Sequence, residues 1–167
     1  MSETAKYRNL FEKYTKGNGI ELGFGGDAIN NTAITIDLKQ RYTTVGNCPQ
    51  NLYGDASNLY WFKDNVFDYV YSSHLIEDFL TTEPIIKEWL RVLKVGGNLC
   101  LLFPDEQKYR YIEKPEYWNQ AHKHANFGMN YLLPIVKSFD NVEVIESNEF
   151  LENDYNCMII AKKINQY

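Results

Sequence analysis

Glycines and acidic residues cluster within residues 21–28, which read Glu-Leu-Gly-Phe-Gly-Gly-Asp-Ala and directly follow a short β-rich run. Gly23 and Gly25 would permit a tight turn at the end of that strand and the close approach of a ligand, because neither has a side chain. Asp37 ends the next β-rich run, where its carboxylate could accept hydrogen bonds from ribose hydroxyls. This pattern favours binding of a cofactor that contains a nucleoside. The same spacing also satisfies the relaxed dinucleotide fingerprint, and it fits a plain glycine turn without a ligand.

Asp27 distinguishes between the candidate ligands of this loop. We expect it at the start of a helix, where free N–H groups and the helix dipole would otherwise bind a pyrophosphate. A carboxylate at that point caps the helix itself and repels a second anion. S-adenosylmethionine has no phosphate and has a positive sulfonium, so it escapes this repulsion. Asp27 therefore favours S-adenosylmethionine over a dinucleotide.

The elements that must position these residues alternate along the chain between β-rich runs and helical stretches. The β-rich runs are residues 19–22, 33–38, 51–53, 67–72, 98–103, 142–146 and 156–162. An apolar stripe predicts a helix over residues 83–93 that Gly96-Gly97 ends, and residues 127–139 predict a second helix that Pro134 interrupts.

This alternation predicts right-handed βαβ units and a mostly parallel sheet with helices on both faces. Only residues 147–155 separate the last two runs, too few for a parallel crossover, so these runs should form an antiparallel hairpin. The predicted fold is α/β: a Rossmann-like, doubly wound, seven-stranded sheet with an antiparallel C-terminal hairpin.

Composition limits the classes of function. A chain of 167 residues with 44% hydrophobic and 23% charged residues fits one globular domain over residues 1–167. The net charge of −5 argues against nucleic acid as the main partner. No apolar run approaches the roughly 20 residues that span a bilayer, and no signal peptide is evident. Three cysteines without metal-binding spacing (Cys48, Cys100 and Cys157) suit a reducing cytoplasm, so we expect a cytoplasmic protein with no bound metal.

Three further segments extend the pattern. They are Gly-Asp-Ala at residues 54–56, Phe-Asp-Tyr-Val-Tyr-Ser-Ser-His-Leu-Ile-Glu-Asp-Phe at 67–79, and Glu-Trp-Leu-Arg-Val-Leu-Lys-Val-Gly-Gly-Asn-Leu at 88–99. Together with residues 21–27 and Asp37, they resemble the class I S-adenosylmethionine-dependent methyltransferases, in the group of small-molecule enzymes without accessory domains. The resemblance covers residues 18–103, and it implies an enzyme whose cofactor is S-adenosylmethionine.

The resemblance also implies roles for particular residues at the cofactor. Glu21 and the backbone of Gly23 and Gly25 would line its methionine part, and Asp37 would hold the ribose hydroxyls, with Leu38 against the adenine. The remaining implied contacts are Asp55 with the adenine amino group, the Ala56 amide with the ring and the Ser72 carbonyl with the cofactor amino group. Many members have a third glycine in place of Asp27 and a histidine in place of Asp78. Considered singly, Asp37 could instead be a turn residue and Asp55 the start of an Asx turn.

Methyl transfer from a sulfonium is an in-line displacement in which the protein mainly aligns the reacting atoms. A hydroxyl acceptor would also need a base, whereas an amine acceptor would need none, and the sequence does not choose between them. The candidate bases are His74, His122 and His124. Each also fits a structural or surface histidine, and a His-x-His metal site lacks evident third and fourth ligands.

Residues 104–126 form a long, polar and aromatic connection, which in a compact domain is typical of a functional segment. We interpret it as a substrate-binding flap with Tyr109, Arg110 and Tyr111, in which Arg110 could bind a phosphate or carboxylate. We expect a small polar metabolite as acceptor, such as a sugar or a precursor in polysaccharide biosynthesis. The alternatives are a nicotinamide-dependent oxidoreductase and a catalytically silent methyltransferase-like subunit that binds a partner.

Overall fold

The computed structural model describes residues 1–39, 46 and 49–166. The helices are α1 (Glu3–Phe11), α2 (Thr82–Val92), α3 (Glu106–Ile112) and α4 (Met129–Lys137). The strands are β1 (Gly19–Leu22), β2 (Ile34–Asp37), β3 (Leu52–Tyr53), β4 (Phe67–Ser73), β5 (Leu93–Pro104), β6 (Val142–Asn148) and β7 (Asn156–Lys163). Within the described ranges, every helix is too short or too polar to cross a lipid bilayer.

The strands form one seven-stranded sheet in the order β3-β2-β1-β4-β5-β7-β6. Strands β1 to β5 pair in parallel, and β7 pairs antiparallel with both β5 and β6. The predicted fold class and the closing antiparallel hairpin are therefore confirmed. This order brings the carboxyl ends of β1, β2 and β4 together at one edge, where ligands of open α/β sheets bind.

Both faces of the sheet are covered, because alternate residues of each central strand point to opposite sides. Val70 of β4 packs in the core under α2 and α4. Its neighbours Tyr69 and Tyr71 pack on the other face with residues of α1, where the rings of Tyr71 and Phe11 meet edge to face at 5.0 Å. Helix α1, which was not predicted from the sequence, thus covers this face together with Ile29, Ala33 and Leu151.

The two predicted helices need corrections at particular residues. The first ends at Val92, before Gly96-Gly97, and the chain passes directly into β5. The buried ammonium of Lys163 donates hydrogen bonds to three oxygens at this point, each 2.8 Å from Nζ: Asn65 Oδ1, Leu90 O and Leu93 O. It therefore satisfies carbonyls that the helix end would otherwise leave unpaired. The second helix runs without a break through Pro134, so the predicted interruption is wrong.

The helix expected after the glycine loop is absent: residues 23–33 form turns and bends between β1 and β2. Asp27 therefore caps no helix. Its carboxylate instead accepts hydrogen bonds from the Ser2 hydroxyl and from Arg8, whose Nη2 lies 2.7 Å from Oδ1. The Asn30 side chain accepts from the amides of Thr32 and Ala33, an Asx-type turn that competes with helix formation.

Candidate active site

The glycine loop and Asp37 meet at the carboxyl edge of the sheet. Gly23 and Gly25 have φ angles of 69° and 60°, a region that residues with a Cβ rarely adopt. A Cβ on Gly23 would also lie 2.8 Å from the Leu75 side chain. The Gly25 amide donates to Asp37 Oδ2 at 3.1 Å, and the Leu38 amide donates to Oδ1 at 2.7 Å. Each carboxylate oxygen has more than one acceptor position, so Asp37 keeps capacity for ribose hydroxyls.

Glu21 lies on β1 directly before this loop and is 1% exposed. Its Oε2 accepts from the Ile29 amide at 2.6 Å, whereas Oε1 is buried and has no hydrogen-bond partner in the described structure. Burial raises the pKa of Glu21 to about 8, and the negative charge of Asp27 acts in the same direction. A buried carboxyl with one unpaired oxygen fits a cationic group such as the amino group of a cofactor.

The other predicted cofactor residues lie near the same edge but make contacts of their own. Asp55 Oδ1 accepts from the Ser57 amide at 2.8 Å, which is the Asx turn considered as an alternative. Ala56 is buried, and its carbonyl accepts from the Trp89 indole at 2.8 Å. Ser72 is buried, and its hydroxyl donates to the Leu22 carbonyl at 3.2 Å, which ties β4 to β1. The Leu38 side chain is exposed, as a surface for an adenine ring requires.

A cavity of about 210 Å³ adjoins the glycine loop. It is lined by Ser2, Glu3, Thr4, Gly23, Phe24, Gly25, Ser73, His74, Tyr109, Asn119, His122 and Tyr155. Residues from the N-terminal helix, the loop, the end of β4 and the predicted flap therefore converge on one space. The tertiary structure brings His74, His122 and Tyr109 to the predicted cofactor loop.

The three remaining residues predicted for catalysis or substrate binding do not line this cavity. His124 Nε2 lies 2.7 Å from the Phe79 carbonyl, and its ring packs on that of Tyr131 at 4.9 Å. Tyr111 is 89% exposed. The guanidinium of Arg110 engages Glu106 and lies over the Trp118 ring at 5.0 Å.

His122 forms a buried pair with Glu106. Its Nδ1 lies 2.6 Å from Glu106 Oε2, and the two side chains are 2% and 1% exposed. The other oxygen of Glu106 accepts from Arg110 Nε at 2.6 Å. Burial disfavours the charged carboxylate, but the hydrogen bonds from His122 and Arg110 outweigh burial and lower the pKa of Glu106. An ionised Glu106 orients the imidazole with a proton on Nδ1, which leaves the Nε2 lone pair to accept a proton.

Sequence reasoning missed Glu106 and the cavity residues of the N-terminal helix. The available signal for Glu106 was local: it follows the helix-capping Asp105 and stands four residues before Arg110. His74 also has a backbone feature that the sequence does not show, a φ angle of 51°. In the described ranges, no three His, Cys, Asp or Glu side chains are grouped in a way that could hold a metal ion.

Residues 22–101 match a family model described as a methyltransferase domain. No curated protein matches the sequence. Several solved structures have the same fold. A putative methyltransferase from Bacillus halodurans is 19% identical with a TM-score of 0.70, over 99% of this chain and 100% of that one.

Two further solved structures resemble the chain to a similar degree. An S-adenosylmethionine-dependent methyltransferase from Archaeoglobus fulgidus is 16% identical with a TM-score of 0.70, over 96% of this chain and 92% of that one. A chain from the complex between the Haloferax volcanii Trm112 methyltransferase activator and a putative methyltransferase is 14% identical with a TM-score of 0.72. That match covers 98% of this chain and 90% of the other.

Proposed function

We propose that this chain, whose family match and fold are those of a class I S-adenosylmethionine-dependent methyltransferase, methylates a hydroxyl group of a small polar metabolite. S-adenosylmethionine is the cofactor, and when bound it supplies a methyl group activated by a positive sulfur. The observation that carries the proposal is the buried His122–Glu106 pair, whose histidine lines the same cavity as Gly23 and Gly25.

The residues that would hold the cofactor fit its chemistry. Asp37 offers acceptor positions for hydroxyls, and Glu21 offers one unpaired oxygen for a cation. A dinucleotide fits less well, because the described segment after the loop has no helix whose first N–H groups could bind a pyrophosphate. This absence of the helix, rather than a capping role of Asp27, disfavours the nicotinamide-dependent oxidoreductase.

His122 is the base in this proposal. Its Nδ1–H donates to Glu106, and its Nε2 removes the proton of the acceptor hydroxyl as the new oxygen–carbon bond forms. The resulting imidazolium is stabilised by the adjacent carboxylate, as in other pairs of histidine with a buried acid. Such a base contributes roughly 10²- to 10⁴-fold to the rate.

The cavity favours a small acceptor without negative charge, because its lining includes the carboxyl of Glu3. Its volume of about 210 Å³ is below the roughly 300–1,000 Å³ of most ligand pockets. Hydroxyl and amide groups of Ser2, Thr4 and Asn119 line it, together with the ring of Tyr155. No Lys or Arg side chain is among the lining residues that the structure describes. A sugar, including a precursor of polysaccharide biosynthesis, has this combination of hydroxyls and a ring face.

A panel of neutral sugars, incubated with the full chain and methyl-labelled cofactor, tests the proposal. We expect labelled product from at least one neutral sugar. His122→Ala should lower kcat by about 100-fold or more while the cofactor Kd stays unchanged, since the base is lost and the cofactor contacts remain. His124→Gln is the matched control and should keep its turnover.

Two outcomes would contradict this function. Full activity of the His122→Ala variant would show that the base lies elsewhere or is not needed. Failure of the labelled cofactor to modify any component of a cell extract, despite tight binding, would support the catalytically silent alternative.

A further inference from the structure

Glu77 is an unusual residue beside the proposed base. It lies in the 3-10 turn Ile76–Asp78 after β4, it is 0% exposed, and neither carboxyl oxygen has a hydrogen-bond partner in the described ranges. Its Oε1 stands 3.6 Å from His74 Nδ1 and 3.6 Å from His122 Nε2, too far for a hydrogen bond to either. Buried polar groups without partners are rare in folded proteins and require an explanation.

The hydrogen bonds of Asn156 decide which nitrogen of His74 has the proton. The Asn156 amide nitrogen donates to Glu3 Oε2 at 3.0 Å and to Asp154 Oδ2 at 3.1 Å, so its oxygen is the atom that faces His74. That oxygen lies 2.6 Å from His74 Nε2 and can only accept. Nε2 is therefore the protonated nitrogen, and Nδ1 presents a lone pair to Glu77.

The hydrogen bonds of Glu106 decide the same question for His122. The ionised carboxylate accepts a hydrogen bond from Nδ1–H, so in the neutral ring Nε2 is the nitrogen without a proton. In the neutral rings, the unprotonated nitrogens of the two histidines then both lie 3.6 Å from one oxygen of Glu77, beyond hydrogen-bond distance, so Glu77 does not occupy Nε2 of the proposed base. An anionic Glu77 would be repelled by both, whereas the O–H of a neutral acid would be attracted to both.

We propose that Glu77 is a neutral carboxylic acid in the resting protein, so that the charged carboxylate beside the proposed base is that of Glu106 and not that of Glu77. Glu77 does not line the cavity and acts only through the two histidines, so it is a positioning residue. Glu77 lies beyond hydrogen-bond distance of the His122 ring, whereas Glu106 is hydrogen-bonded to it.

The charged surroundings agree with this state. The groups that face Glu77 are Asp78 on its own turn, His74 after β4, Glu106 on α3 and His122, while Lys123 acts on the neighbouring Asp78. Burial raises the pKa of Glu77 well above its usual value, and the negative charges of Asp78 and Glu106 add to the effect. Burial also lowers the pKa of His74, although Glu3 and Asn156 oppose it.

Vibrational and magnetic resonance spectra of the cofactor-free full chain test the proposal directly. The infrared difference between wild type and Glu77→Gln at neutral pH should contain the carbonyl band of one protonated carboxylic acid. Nitrogen spectra of the wild type should show His74 as the neutral Nε2–H tautomer and His122 as the neutral Nδ1–H tautomer. A carboxylate band instead, with an imidazolium signal from either histidine, would overturn the proposal. The wild-type nitrogen spectra decide the matter even if the variant does not fold.

The two glutamates beside His122 give a matched pair for kinetics, once an acceptor is known. Glu77→Gln replaces one neutral group with another, so the acid limb of the kcat/KM profile against pH should not move. Glu106→Gln removes the anion that is hydrogen-bonded to the proposed base, so this variant should move that limb to lower pH. A comparable shift in Glu77→Gln would show that Glu77 is ionised. These profiles rest on the proposed function, whereas the spectra do not, so the two failures are distinguishable.

Discussion

Cofactor affinity should depend on pH through Glu21. Burial raises the pKa of Glu21 to about 8, so at neutral pH the carboxyl of the cofactor-free protein is mostly protonated. A cationic amino group placed against the unpaired Oε1 favours the ionised form and lowers this pKa. Binding should therefore release a proton below about pH 8 and release none above it.

The magnitude follows from the position of this pKa. One pH unit below the pKa, removal of the proton costs about 1.4 kcal/mol, which is a tenfold change in Kd. We expect the Kd for S-adenosylmethionine to fall by up to about tenfold for each unit of pH between roughly 6 and 8 and then to level off. The same proton should appear in the heat of binding.

Isothermal titration calorimetry in two buffers of different ionisation enthalpy measures both quantities. Glu21→Gln is the matched variant, because an amide of the same size cannot release a proton. Titration of the cofactor itself occurs with both proteins and cancels in the comparison. If wild type and Glu21→Gln show parallel curves of Kd against pH and equal buffer-dependent heats, Glu21 does not meet the cofactor and this reasoning is refuted.

Three further substitutions test other contacts. Asp37→Asn should weaken cofactor binding by about 10- to 100-fold in calorimetry, because a charge-assisted hydrogen bond is worth about 1.5–3 kcal/mol. A change in Kd below twofold would show that Asp37 does not contact the cofactor. Arg8→Ala should lower the free energy of unfolding in urea by about 1 kcal/mol and loosen the loop at Asp27. The expected value is small because the Arg8 side chain is 38% exposed. An unchanged urea midpoint would mean that the Arg8–Asp27 contact adds no stability. Lys163→Met should lower the free energy of unfolding by at least about 1–3 kcal/mol in the same assay, since it leaves buried acceptors unpaired. An unchanged free energy of unfolding would show that water replaces the ammonium.

Local patterns in the sequence determined the sheet and the cofactor edge. Runs of β-forming residues marked all seven strands, and the short segment 147–155 required the final antiparallel turn. The glycines and Asp37 were recognisable because a tight turn at a strand end restricts residue type within a few positions. These features depend on neighbours in the chain, so the sequence contains them directly.

Contacts between distant residues were decided only by the tertiary structure. The Glu106–His122 pair joins residues 16 positions apart, and the His74–Asn156 bond joins residues 82 positions apart. The missing helix after the glycine loop depends similarly on α1, whose Arg8 holds Asp27 from 19 positions away. Burial raises the pKa of Glu21 and Glu77, whereas hydrogen bonds from His122 and Arg110 lower the pKa of Glu106 in spite of burial. Residue type alone cannot give these charges, because the ionisation of a carboxyl depends on how far folding removes it from water and on which donors folding brings to it.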